Sequence, residues 1–300
     1  MEAAGLRAGQ SRRSAGRRLA DLFHGRPRLQ VGALLAGPVG WLVVAYLGSL
    51  AVMFAASFWT LNDFTGEVQR GFSLDNFKTL TTESVYRAIA GRTVGMAALV
   101  TITCAALAFP IAFFMAKVVS SRTKALLVVA VLMPLWSSYL IKIYAWRTML
   151  SPDGVLNWAL DPIGLSVPKA DIFRLWLVMT YLWLPYMIIP VYAGLERIPN
   201  SLLSASEDLG ASPWTTFRRV ILPLAFPAII AGSIFTFSLT LGDYIAPLLI
   251  TKTQFIGNVV YSNIGVAGNL PLAAAFALVP VLVMIVYLLL ARRTGAFEQL

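Results

Sequence analysis

Hydrophobic residues along this chain gather in long blocks almost free of charge, without the period of two that marks a half-buried strand. Blocks at 31–59, 93–116, 175–195, 224–250 and 271–291 each reach the roughly 20 apolar residues that a bilayer-crossing helix needs. A sixth begins at 125–141 and ends irregularly over 134–157, in PLWSSYLIKIYAWRTMLSPDGVLN. The pattern predicts an all-α integral membrane protein with six transmembrane helices. Pro110 is expected to kink the second span, Pro185 and Pro190 to break the inner half of the fourth, and Pro271 to open the last. Between the blocks lie a polar loop at 62–90, whose 74–80 and 85–89 read as short interfacial helix, a basic turn at 117–124 and a Pro- and Gly-rich loop at 151–171. Lys142 and Arg147, inside the irregular third span, are costly in lipid and should face protein, water or headgroups.

The most polar stretch between two apolar blocks is 197–223, and its centre, SLLSASEDLGASPWTTFRRVILP, reads as two short helices around a glycine. Leu202, Ala205 and Leu209 fall at helical spacing and form one apolar stripe beside Ser206, Glu207 and Asp208. Gly210 suits the left-handed residue that ends a helix. Ser212 then supplies an N-cap with Pro213 at the first helical position. A helix-turn-helix of this kind between spans four and five offers a knob to a partner protein. The alternative is an amphipathic loop resting on lipid headgroups.

Composition narrows the class. The chain of 300 residues is 58% hydrophobic and 13% charged, which no ordinary soluble domain matches. Cys104 and His24 are its single cysteine and histidine, so disulfide frameworks, thiolate cages and histidine relays within the spans are excluded. The net charge of +10 is placed by topology rather than for nucleic acid. With both termini inside, Lys and Arg number 15 on the inner side and 7 on the outer, Lys142 and Arg147 belonging to neither. The first 30 residues carry seven of those arginines and read as a basic cytoplasmic tail touching anionic lipid. An Arg- and Ser-rich transit peptide is the other reading of the same composition. The chain then divides into this tail, a transmembrane domain at 31–291 and a cytoplasmic end at 292–300.

Little here suggests catalysis. No Gly-Lys dipeptide occurs, so a phosphate-binding loop of the Walker type is excluded. No acidic pair with catalytic spacing lies within the spans. The informative charge is Asp243, which interrupts an otherwise uncharged run in SLTLGDYIAPLLI. A lone carboxylate there needs water, a cation or a paired base. With Gly242 leaving room and Tyr244 offering a ring face, the pair suits an ammonium ion. The alternatives are an internal pair with Lys142 or Arg147, or a place at the outer headgroups. Trp136, Ser138, Tyr139, Tyr144, Trp146, Tyr181 and Trp183 are further pathway candidates, and the aromatic ones equally suit an interfacial belt or helix packing.

Two sets of motifs carry a family resemblance. The stretch at 201–223 resembles the cytoplasmic coupling loop of bacterial ABC-importer permeases, with Ala205, Gly210, Leu222 and Pro223 in the family's positions. Ser204 stands where the family has Glu and Ser206 where it has a second Ala, with Glu207 or Asp208 available as substitutes for the missing carboxylate. Gly-Asp-Tyr-Ile-x-Pro at 242–247, Ile-Gly-Asn at 256–258 and Pro-Leu-x-Ala-Ala at 271–275 are similar to the spermidine/putrescine branch of these permeases. So is the segment with Trp136, Ser137, Ser138, Ile143, Tyr144, Leu156 and Asn157. The resemblance implies a multi-pass subunit of the bacterial inner membrane, both termini cytoplasmic, forming half of a pathway for a small organic solute, a polyamine above all. It implies a second permease, two ATP-binding subunits and an extracytoplasmic solute-binding protein as partners. No cofactor would reside in this chain, ATP and Mg being held by the ATPase. Ser204, Ala205, Glu207, Asp208, Gly210, Phe217, Leu222 and Pro223 would couple to that ATPase. Asp243, Tyr244, Trp136, Ser138 and Tyr144 would line the pathway. An ion-gradient transporter, a permease for another solute and a membrane scaffold remain as alternatives.

Overall fold

Proline opens several helices of this protein, and glycine and small side chains let them approach one another. The computed structural model describes residues 27–62 and 64–294, so the basic tail up to residue 26, with His24, and the last six residues lie outside the described residues. The chain divides into two units, Met1–Ala56 and Ser57–Leu300. The first contains α1 (Pro27–Leu42) and α2 (Gly48–Ala56), joined by a π-helical turn at Val43–Leu47.

The second unit opens with a minimal hairpin in an otherwise helical fold. Strands β1 (Thr60–Leu61) and β2 (Val68–Gln69) pair antiparallel, Thr60 opposite Gln69 and Leu61 opposite Val68. Helix α3 (Asp75–Thr82) follows, tied to the strand entry by Asn76, whose amide donates to the carbonyls of Ser57 and Trp59 at 2.9 and 2.8 Å. Residues 85–89, expected in an interfacial piece, instead begin the long helix α4 (Ser84–Phe113). That helix passes Pro110 without a break and ends in a π-helical turn at Phe114–Val118. Then come α5 (Ser121–Trp136), α6 (Tyr139–Met149), the short α7 (Val155–Leu160) and α8 (Asp171–Glu196). Helices α9 (Asn200–Asp208) and α10 (Pro213–Thr216) lead through a π-helical turn at Phe217–Ile221 into α11 (Leu222–Gly242). Helices α12 (Ile245–Ile250), α13 (Ile256–Gly265) and α14 (Leu270–Arg292) complete the chain. Pro271 lies in the first turn of α14 as expected, with the Asn269 side chain accepting the Leu272 N–H at 3.1 Å.

Among the described residues, five helical runs are long and apolar enough to cross a membrane: Leu34–Ala56, Ser84–Val118, Asp171–Glu196, Pro213–Gly242 and Leu270–Arg292. The third span expected from sequence is not one helix but the pair α5 and α6, bent by 91° at Ser137 and Ser138. The fifth is also shorter than expected: α11 stops at Gly242 and the chain restarts at Ile245. The expected break in the fourth does not occur, since α8 continues through Pro185 and Pro190. Each proline deprives one carbonyl of its helical donor, but α8 stays helical through both and packs against α4 and α11 along the way.

The core lies where α4, α8 and α11 meet. Between lipid tails no hydrophobic gain drives helices together, so close backbone approach must do it. A Cβ on Gly194 of α8 would overlap the Ala228 side chain of α11, and one on Gly232 of α11 would sit 2.7 Å from the Met187 sulfur. Several hydroxyls in this core bond within their own helix or across to a neighbour, whereas the buried Thr180 hydroxyl has no partner among the described residues. Thr101 donates to the carbonyl of Ala97 at 2.7 Å, Thr240 to that of Thr236 at 2.8 Å, and Ser233 pairs with the Tyr287 hydroxyl at 2.6 Å.

Candidate functional site

Two places hold the residues singled out from sequence, and one unbroken helical run connects them. The first is the helix-turn-helix α9–α10. The end of α9 closes as a Schellman motif. Gly210 has φ +73°, its N–H meets the Glu207 carbonyl at 2.8 Å, and the Ala211 N–H meets the Ser206 carbonyl at 3.1 Å. The Ser212 hydroxyl then accepts the Thr215 N–H at 3.3 Å, with Pro213 opening α10. Ser206, which replaces the family's alanine, joins the two helices through the Thr216 hydroxyl at 2.8 Å. Ser204 turns back to its own helix and donates to the Asn200 carbonyl at 3.4 Å.

The stripe expected from sequence faces away from the body of the protein. Leu203, not Leu202, packs on the core, whereas Leu202, Ala205 and Leu209 are exposed, Leu209 at 88%, with Trp214 at 67%. Glu207 and Asp208 are exposed beside them. This apolar cap is firmly seated. Phe217 meets Phe109 of α4 edge-on at 5.5 Å and stacks on Trp214 at 5.2 Å. Lys117 donates to the Ile198 carbonyl at 2.5 Å and to the Asn200 side chain at 3.2 Å, and Lys124 pairs with Glu196 at 2.8 Å. Leu222 and Pro223 begin α11, so α10, the π-helical turn and α11 form one run, Pro213–Gly242, of 30 residues. At about 1.5 Å per residue it is roughly 45 Å long.

That run ends at the second place, the break at Asp243 and Tyr244. The Asp243 carboxylate accepts the N–H groups of Ile245 and Ala246 at 2.9 and 3.3 Å through one oxygen and the Tyr139 hydroxyl through the other. Rather than pairing with Lys142 or Arg147, it is satisfied by three neutral donors, two of them the free amides that open α12. Tyr139 is the first residue of α6, directly after the bend, so one hydrogen bond joins the breaks of two spans. Lys142 acts within its own span. Its ammonium donates at 3.1 Å to the Pro134 carbonyl near the end of α5, where the Ser137 hydroxyl also donates at 2.8 Å. A cation at a helix C-terminus meets the negative end of the helix dipole, which explains a lysine in an apolar run.

Tyr139 stacks on Trp183 with ring centres 5.8 Å apart. Of the remaining pathway candidates, Tyr244 stacks on Tyr261 at 5.2 Å, whereas Trp136, Ser138 and Tyr144 remain exposed, Trp136 at 84%, and none of them bonds to the carboxylate. Trp146 and Tyr181 form a separate ring contact at 5.1 Å. Sequence reasoning passed over Tyr261, and it quoted Gly257 only as part of the Ile-Gly-Asn motif. A Cβ on Gly257 would lie 2.7 Å from the Asp243 carbonyl oxygen and 2.8 Å from Tyr244 Cβ, so α13 lies directly on the break. The Gly-Asp-Tyr and Ile-Gly-Asn motifs are thus two sides of one contact, a signal that spacing along the chain does not carry. Among the described residues no three His, Cys, Asp or Glu side chains gather as they would around a metal ion.

A multi-pass helical membrane protein with paired broken spans, and a rigid helical run joining them to an exposed apolar foot, has the build of a transport subunit rather than an enzyme. Residues 98–295 match the family described as the binding-protein-dependent transport system inner membrane component, and the chain belongs to that family, the permease subunits of ABC importers. It is 46% identical over 299 residues to the inner membrane ABC transporter permease protein YdcU of Escherichia coli, covering 94% of this chain and 95% of that one. It is 33% identical over 267 residues to the spermidine/putrescine transport system permease protein PotB of E. coli, covering 86% and 94%. In fold it is similar to a chain of a bacterial ABC transporter importing the polysaccharide alginate, with TM-score 0.71 at 20% identity over 93% of this chain and 98% of that one. Family membership sets aside the ion-gradient and scaffold alternatives.

Proposed function

We propose that this permease forms half of the pathway of an ATP-driven importer for a small organic cation, a polyamine in the first place. On this reading both termini are cytoplasmic, the segment 197–223 is the coupling loop, and two ATPase subunits, a second permease and an extracytoplasmic solute-binding protein complete the machine. ATP and Mg are held by the ATPase and not by this chain. The polyamine assignment draws support from the PotB relatives, whose name states spermidine and putrescine.

The observation that carries the coupling role is the outward stripe of Leu202, Ala205 and Leu209 beside Glu207 and Asp208, seated by Phe217 on α4 and continued through Leu222 and Pro223 into α11. An apolar patch with adjacent acids, held on a rigid base, suits insertion into a groove of another subunit. Closure of the ATPases would displace α9, and the run Pro213–Gly242 would carry that displacement to Asp243.

Two substitutions test this with the assembled transporter in liposomes. Asp208→Arg places a cation at the C-terminus of α9, where the helix dipole favours it, so the loop keeps its fold and only the charge shown to a partner reverses. Gly210→Pro imposes φ near −65° where the chain needs +73°, so the turn itself is lost. Both should abolish uptake while the chain stays in the membrane. Normal transport by both would remove the coupling role, and a wild-type complex that moves neither putrescine nor spermidine would remove the polyamine.

A further inference from the structure

Behind the break, on the side of α13 and α14, lies a cavity of about 410 Å³. Leu241 and Gly242, the last two residues of α11, form one edge of it, Tyr244 and Tyr261 another, with Gly257 and Pro280 among the rest. Its volume falls within the range of small-molecule sites. Three features define what it would hold. First, its walls carry no charged side chain and are largely apolar, which suits a methylene chain. Second, Tyr244 and Tyr261 stack at 5.2 Å and 17°, and both keep part of their surface open, 38% and 48% exposed. Tyrosine faces of this kind attract ammonium groups. Third, the break leaves the C-terminal end of α11 at the rim, and the carbonyls of such an end form the negative pole of the helix. Broken helices in transporters use such ends to coordinate cations.

Asp243 is not one of the walls of this cavity, and its carboxylate is occupied by Tyr139, Ile245 and Ala246. We infer that the cavity behind the break is the site where an alkyl-diammonium solute is held during transport. In it the ammonium rests on the Tyr244–Tyr261 pair and the end of α11, while Asp243 holds the break open and does not touch the solute. Tyr261 is then a specificity-determining residue. This inference rests on the reading of the solute as a polyamine.

The test uses the complete transporter, with its ATPase, second permease and solute-binding protein, in liposomes. The amounts of radiolabelled putrescine and spermidine moved per ATP hydrolysed are measured, a ratio that a merely structural role does not alter. A Cβ on Gly242, at the cavity edge, meets nothing within 4 Å, so Gly242→Leu adds bulk there without a clash at its Cβ. Gly242→Leu and Tyr261→Leu should each lower solute moved per ATP about tenfold, the scale of one desolvated ammonium–ring contact. Tyr261→Phe, which keeps the ring, should stay within about twofold of the wild type. An unchanged ratio in Tyr261→Leu overturns the site while leaving the polyamine reading intact. Loss of the second permease from the purified Tyr261→Leu complex also overturns it, since the cavity would then be a subunit interface. A wild-type complex that moves neither polyamine overturns both.

Discussion

Gly257→Ala tests the packing on which the break depends. The added Cβ would lie 2.7 Å from the Asp243 carbonyl oxygen, 2.8 Å from Tyr244 Cβ and 2.9 Å from Tyr244 Cα. Ordinary contact begins at about 3.5 Å, so all three are short by roughly 0.6–0.8 Å. Two of the three atoms are backbone, and that backbone is pinned by the bonds from Asp243 to Ile245 and Ala246 and by the Tyr139 hydroxyl. Nor is α13 free to withdraw, because the Ile256 N–H is held by the Thr93 hydroxyl oxygen at 3.1 Å and the adjoining Gln254 carbonyl by Arg92 at 2.9 Å. Overpacking of this kind costs about 1–3 kcal/mol, and replacing glycine in a helix returns less than about 1 kcal/mol. The net loss is about 1–2 kcal/mol, read as a fall of roughly 2–6 °C in the unfolding midpoint of the purified protein. Gly265→Ala is the control: the same helix, the same exchange, and nothing within 4 Å of the new methyl. If both variants unfold at the same temperature, α13 does not bear on the break and the packing argument fails.

Tyr139→Phe keeps the ring on Trp183 and removes one donor from a carboxylate, which should lower stability by about 1–3 kcal/mol; no change in midpoint would mean the two breaks are not joined there. Ser212→Ala should cost about 1 kcal/mol locally, seen as faster amide exchange across 214–217 with the midpoint of the whole protein unmoved. Glu196→Gln removes the pair with Lys124, whose side chains are 23% and 44% exposed for Lys124 and Glu196. Such a pair contributes less than about 1 kcal/mol, so the midpoint should move by no more than about 2 °C, and a fall of several degrees would contradict the assignment.

How much of this was legible in the chain depended on how local each signal is. The α9–α10 turn needed only Gly210, Ser212 and Pro213, whose backbone preferences act over three or four residues, and it formed as those residues dictate. The direction of its apolar stripe was not legible, because spacing tells which residues share a face and not which face meets the body. The two broken spans escaped for a different reason. Hydropathy reads Ser137, Ser138 and Gly242 as neutral, and what ends α5 and α11 is a long-range arrangement: Lys142 returning to Pro134, Tyr139 reaching Asp243, and Gly257 lying beneath. Pro185 and Pro190 misled in the opposite sense, since α8 is clasped between α4 and α11 and packing outweighs two missing amides. Helix α13 had no long apolar run to announce it, only Phe255, Ile256 and Val259 turned inward against their neighbours.

The same contacts determine where a push on α9 would be felt. A displacement is absorbed wherever a structure yields, and between Pro213 and Gly242 little yields. The π-helical turn at Phe217–Ile221 is held by Phe109, and the overlap-tight contacts of Gly194 with Ala228 and of Gly232 with Met187 make α8 and α11 move together. Close-packed interfaces of this kind pass between discrete arrangements rather than deforming smoothly. The helical hydrogen-bond pattern of the run first stops at Asp243, whose backbone is extended and whose side chain, not a helical hydrogen bond, holds the next helix. Movement there must exchange the Tyr139 bond for something else, and Tyr139 belongs to the other broken span. On the proposed coupling role, a shift delivered from the foot would be shared at once between spans three and five through the bond from Tyr139 to Asp243.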